Sequence, residues 1–66
     1  MNNFRSERAR MKMSQEDLAD KVGVSKFTIC NWEKDISSCS AKYLFLMTEL
    51  FGCSADYLIG RTDERK

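Results

Sequence analysis

Residues 14–34, SQEDLADKVGVSKFTICNWEK, leave few folds open. Two short segments with helical spacing flank Val22-Gly23-Val24, and a serine precedes each. Ser14 is placed to cap the first segment, with Asp17 three residues on in a weak capping box. Ser25 is placed to cap the second. Gly23 allows a turn conformation that side-chained residues resist. Two short helices joined by a glycine-containing turn are how DNA-binding proteins set one helix in a major groove. The segment therefore points to sequence-specific DNA binding.

The rest of the chain reads as helix. Periodicity is helical throughout, with no alternating strand pattern and no proline. A first helix is predicted over about Asn3 to Met11, and the next two run from Ser14 to about Val22 and from Ser25 to about Lys34. Asp35 to Cys39 is predicted to be a polar loop. A fourth helix begins near Ser40 and ends at Phe51, where Gly52 provides the stop. Ser54 caps a short fifth helix through about Ile59, which Gly60 ends. The tail Arg61–Lys66 is charged and expected to fray. Four serine caps, at roughly 1 kcal/mol each, matter in a domain with little stability to spare.

With 66 residues and 42% hydrophobic composition, one domain with one core is the limit. Spacing assigns that core to Leu18, Ala19, Val22, Ile29, Leu44, Met47, Thr48 and Phe51. Phe4, Val24, Cys53 and Leu58 complete the expected cluster. The fourth helix has more apolar residues than one core stripe needs. Tyr43, Phe45, Leu46 and Leu50 lie beside or opposite the stripe. They are either buried on further sides of a central helix or, for some of them together with Tyr57 and Ile59, form a homodimer surface.

Composition narrows the classes. No stretch nears the roughly 18 apolar residues of a membrane span, and no signal-peptide pattern is seen, so a cytoplasmic location is expected. Cys30, Cys39 and Cys53 are odd in number, and with no histidine a zinc site within one chain is implausible. Free thiols in a reducing compartment fit best. No metal or cofactor is expected. The net charge is only +1. Its distribution is more permissive: seven basic and five acidic residues in 1–34, against four and five in 35–66. An enzyme is not expected, because the chain lacks histidine, a Gly-rich phosphate loop and room for a pocket. Glu16 and Asp17 more simply favour a helix N-terminus than form a catalytic pair.

Taking Ile29 as the inward reference, Phe27 and Asn31 lie about 160° away on either side and Lys34 about 140° away. These three form the face opposite the core, flanked by Lys26 and Thr28. Asn can bond adenine's edge, Lys can bond guanine or phosphate, and a ring or a Thr methyl can pack on thymine. Gln15 stands just inside the second helix, whose free N–H groups can meet a phosphate. Its amide could instead brace a side chain on the third helix.

MSQEDLADKVGVSKFTICNWE resembles the signature of the lambda-repressor-like, or xenobiotic-response-element, helix-turn-helix regulators, as does LFLMTELFGCSADYLIG. The resemblance runs from about Phe4 to Gly60. It implies a compact, all-α, five-helix domain whose third helix reads the major groove. It implies base contacts from Gln15, Lys26, Phe27, Thr28 and Asn31. Backbone contacts are implied near Ser14 and Lys34, with Arg10 and Lys12 as further phosphate candidates. It also implies a structural ion pair between Arg8 and Glu33. Glu7 departs from the family's usual apolar residue. Lys12 and Asp35 stand where helix-ending glycines are common, and Cys39 replaces a frequent proline.

The expectation is a stand-alone Cro-like repressor that binds double-stranded DNA at a partly palindromic operator as a homodimer. Leu46, Leu50, Tyr57 and Ile59 are the candidate dimer surface. Two rivals remain: an antitoxin-type regulator with a small protein partner, and a protein-interaction module without DNA binding.

Overall fold

A computed structural model of the chain describes residues 2–65. Among these are five α-helices: α1 (Phe4–Arg10), α2 (Gln15–Val22), α3 (Lys26–Lys34), α4 (Ala41–Phe51) and α5 (Ala55–Leu58). A 3₁₀ turn, Ile36–Ser38, occupies the expected polar loop after α3. No strand occurs among the described residues.

Local chemistry explains most boundaries. Ser14 Oγ accepts the Asp17 N–H at 2.9 Å, and the Asp17 carboxylate accepts the Ser14 N–H at 3.1 Å. Both halves of the capping box therefore form, and one orphan donor is met from each side. Ser25 and Ser54 cap α3 and α5 through the N–H groups of Thr28 and Tyr57. Ser40 departs from the fourfold pattern. It holds the cap position of α4 with extended backbone but forms no side-chain cap bond. Ala41 and Lys42 after it are exposed, so that turn is open to water.

Four helix ends turn through left-handed backbone, at Lys12, Gly23, Gly52 and Gly60. Gly23 (φ 79°) and Gly52 (φ 68°) do so without steric cost. At both, two successive N–H groups close on one carbonyl, that of Ala19 or Thr48. The one without glycine is Lys12 (φ 57°). Its N–H reaches the Ala9 carbonyl and that of Met13 the Arg8 carbonyl, the Schellman arrangement. A lysine thus holds a conformation that glycine adopts freely. Asp35 does otherwise: at φ −149° it is extended, and its carboxylate accepts both the N–H and the hydroxyl of Ser37.

The helices enclose Phe4, Leu18, Ala19, Ile29, Trp32, Met47, Phe51, Cys53 and Leu58. Full burial of a large apolar side chain contributes roughly 1.5–3 kcal/mol. Phe4 is central, its ring edge-on to Phe51 at 5.8 Å and tilted to Trp32 at 6.0 Å. Trp32 was absent from the core drawn from spacing, although it lies three residues from Ile29 on the same face. Val22, Val24 and Leu44 are half-buried against the cluster. Thr48 is half-buried too, its hydroxyl returned to the Phe45 carbonyl. The start of α1 is tied on two sides by asparagines. Asn2 bonds the Trp32 and Glu33 carbonyls, and Asn3 bonds those of Tyr57 and Leu58.

The expectation of a frayed tail is overturned as far as Arg65; Lys66 lies outside the described residues. Glu7 is buried, 2% exposed, and Arg65 closes on it with two bonds of 2.6 and 2.9 Å. Arg65 also donates to the Phe51 carbonyl, and its own carbonyl accepts the Ser54 N–H. Arg10 completes the cluster, bonding Glu7 at 3.0 Å and the Phe51 carbonyl at 2.8 Å. Glu7 could not be left without partners in the core, because an unpaired buried charge is costly. The tail is held because it brings one of those partners.

Two stability outcomes follow. Lys12→Gly relieves left-handed strain and should stabilise by about 0.5–1 kcal/mol, seen as a rise of a few degrees in Tm; an unchanged or lower Tm would show that the strain is absorbed elsewhere. The Arg65 guanidinium holds the Glu7 carboxyl below its ordinary 4.5, against the opposing effect of burial and with help from Arg10. A lowered native value contributes stability above pH 4.5 that is lost as pH falls through the native value. Asp17, bonded by the Ser14 N–H, and Asp35, bonded by the Ser37 hydroxyl, act in the same direction. Urea midpoints should therefore drop below pH 4.5, and Glu7→Gln should shrink that drop while lowering the midpoint at neutral pH. Parallel pH profiles for the two proteins would contradict the assignment to Glu7.

Candidate nucleic-acid interface

The turn after α2 sends α3 across it, and these two helices pack most extensively on each other. Ile29 and Trp32 face inward. The opposite side of α3 is left open. Phe27 is 80% exposed, and Lys26, Asn31 and Lys34 are exposed beside it. Among the described residues their side chains make no hydrogen bond and no ion pair. A phenyl ring exposed to that degree gives up the burial energy it could have had. Thr28 differs: it is half-buried, and its hydroxyl lies 3.0 Å from Ser25 Oγ at the cap.

The flank of α3 borders an open cleft of about 770 Å³. Arg5 and Arg8 of α1, Ser14 and Gln15 at the start of α2, and Lys26 and Lys34 of α3 line it. Of the residues expected to touch DNA, the cleft thus gathers Ser14, Gln15, Lys26 and Lys34. Phe27, Thr28 and Asn31 lie beyond it on α3.

The base of the cleft is polar and internally matched. Arg8 Nε meets Glu33 Oε2 at 2.6 Å, with side-chain exposures of only 15% and 8%. Arg8 also donates to the Met13 carbonyl at 2.8 Å. The Gln15 amide donates to Glu33 Oε1 at 3.1 Å, so it braces α3 rather than standing free. Ser14, exposed, spends its hydroxyl on the α2 cap. Arg10, half-exposed, does not line the cleft, and its guanidinium is engaged with Glu7 and the Phe51 carbonyl. Lys12 is exposed on the turn between α1 and α2 and does not line the cleft. Arg5 was not singled out beforehand, although its three-residue spacing from Arg8 places both on one side of α1.

On α4, Phe45 is 60% and Leu46 43% exposed. The other candidate dimer residues, Leu50, Tyr57 and Ile59, are half-buried, with Leu50 and Tyr57 packed against the core. The three thiols are free. Burial pushes those of Cys39 and Cys53 up, away from thiolate formation.

A short helix crossing its predecessor after a glycine turn, with a polar and aromatic outer face, defines a helix-turn-helix DNA-binding domain. The chain belongs to the Cro/C1-type helix-turn-helix family, whose model, described as "Helix-turn-helix", matches residues 4–58. It is 30% identical over 61 residues to the uncharacterized HTH-type transcriptional regulator YobD of Bacillus subtilis. It is 33% identical over 56 residues to repressor protein C2 of Salmonella phage P22. An uncharacterized HTH-type transcriptional regulator of Methanocaldococcus jannaschii is 39% identical over 64 residues. These alignments cover 92%, 85% and 96% of this chain, and 54%, 26% and 97% of the relatives. The chain thus spans about half of the first relative and a quarter of the second, but nearly all of the third. No solved structure matches. No helix among the described residues is long and apolar enough to cross a membrane.

Removing Glu33 leaves Arg8 without its carboxylate and Gln15 without its acceptor. Glu33→Ala should cost on the order of 3 kcal/mol, the lower end for a broken buried pair, because Arg8 keeps the Met13 carbonyl. A thermal melt close to wild type would contradict a structural role for this pair.

Proposed function

We propose that this chain is a transcriptional regulator of the repressor type that reads double-stranded DNA with α3. One observation carries the reading: the outer face of α3 holds an 80% exposed Phe27 beside exposed Lys26, Asn31 and Lys34. Phe27 and the Thr28 methyl suit thymine methyls, and Asn31 suits the adenine edge. Lys26 is at the helix start, where bases or phosphates are in reach, and Lys34 at its end suits a phosphate. Ser14 and Lys12, near the start of α2, are the remaining candidates for backbone contact. Gln15 can meet the backbone only with the donor not used on Glu33.

A single α3 offers few base contacts. Binding as a homodimer doubles them and sets half-sites roughly 34 Å apart on a partly palindromic operator. The exposed apolar pair Phe45 and Leu46 supports an interface on α4, continued by Leu50, Tyr57 and Ile59. The relatives named as transcriptional regulators, and the phage repressor among them, support the regulatory reading.

Selection of bound sequences from a random DNA pool at near-physiological salt tests the whole reading. A two-fold symmetric motif is expected; a folded protein that recovers no motif would sink it. On the recovered operator, Asn31→Ala should cost about 1–3 kcal/mol and relax preference at one position per half-site. An equal loss on random DNA would remove Asn31 from the base-reading set.

A further inference from the structure

The three arginines of α1 point to different work. At about 100° per residue, Arg5 and Arg8 lie about 60° apart, whereas Arg5 and Arg10 lie about 140° apart. Arg10 faces Glu7 and the Phe51 carbonyl. Arg8 is spent on Glu33 and the Met13 carbonyl. Arg5 is exposed and, among the described residues, makes no hydrogen bond and no ion pair. It lines the same cleft as Lys26 and Lys34.

The charges of that cleft do not cancel. Arg8 and Gln15 already answer Glu33. What remains is Arg5, Lys26 and Lys34 against the single exposed carboxylate of Glu16. The cations come from two helices, Arg5 from α1 and Lys26 and Lys34 from α3, so an extended anion suits them better than a compact one. Lys26, Cys30 and Lys34 recur at four-residue steps, so the cleft runs along the flank of α3. If the outer face of α3 enters a groove, this flank lies beside the strand that borders it.

We infer that Arg5 is a DNA-backbone contact: its guanidinium, from α1, takes a phosphodiester of the strand running along the cleft that it lines with Lys26 and Lys34 of α3. The inference rests on the DNA-binding reading above and moves the backbone contact of α1 from Arg10 to Arg5. A guanidinium suits the task because its donors match two phosphate oxygens at once.

The test compares wild type with Arg5→Gln on the selected operator and on a scrambled duplex of equal length, over a salt series. Arg5 is exposed, so the variant should melt with the wild type. It should bind both duplexes several-fold more weakly, by the same factor. The slope of log affinity against log salt should be shallower by about 0.9 for each bound protomer. Neutral methylphosphonates placed singly along the operator should reveal one position per half-site that weakens wild type but not Arg5→Gln. Unchanged affinity and slope in Arg5→Gln, with wild type binding normally, would overturn the assignment and leave the DNA reading intact. A loss confined to the selected operator would also overturn it, by making Arg5 a base reader. Failure of folded wild type to bind either duplex at the lowest salt would bring down both.

Discussion

The carboxylate of Glu33 fixes how three parts of this domain meet. Arg8 reaches it from α1, and the same guanidinium holds the Met13 carbonyl of the following turn. Gln15 reaches it from the start of α2. Apolar contacts are non-directional, so a core of Phe4, Leu18, Ile29 and Trp32 tolerates small rotations of α3. A nearly buried carboxylate with two directional partners tolerates them far less. The pair adds little net stability over an apolar substitute of similar shape. Its value lies in registering the outer face of α3 against the N-terminus of α2.

A second carboxylate does similar work on another face of α1. Glu7 gathers Arg10 and Arg65, and both arginines also hold the Phe51 carbonyl at the end of α4. The first helix therefore carries two polar clamps on different sides, one toward α3 and one toward α4 and the tail. Asn2 and Asn3 fasten its start to α3 and α5. In so small a domain each helix buries only part of its surface. Positioning by directional bonds makes up for what packing alone leaves loose.

How far the sequence foretold this differs by the range of the interaction. Serine caps at 14, 25 and 54 and glycine stops at 23 and 52 act within four residues, and local spacing revealed them. The outer face of α3 followed from one inward residue, Ile29, and the helical period. Trp32 was missed although the same period places it inward. The Glu7–Arg65 contact joins residues 58 apart, which no local pattern reports. That is why the tail read as loose and Arg10 as free. The engagement of Gln15 with Glu33 was open beforehand because an amide at that place can turn either way.

Net charge is a poor guide to such a protein for the same reason. A formal +1 looks unsuited to a polyanion. Yet the carboxylates of Glu7 and Glu33 meet their cations inside the structure, and that of Asp17 closes a helix cap. Charges matched internally contribute little field at a distance, whereas exposed, unpaired ones contribute most. Those left over at the cleft are Arg5, Lys26 and Lys34, with Glu16 opposing. The fold thus gives a nearly neutral chain a basic cleft by gathering Arg5, Lys26 and Lys34 there with only Glu16 unpaired against them. A net count taken over the sequence cannot see this, because it weighs a clamped arginine and a free one alike.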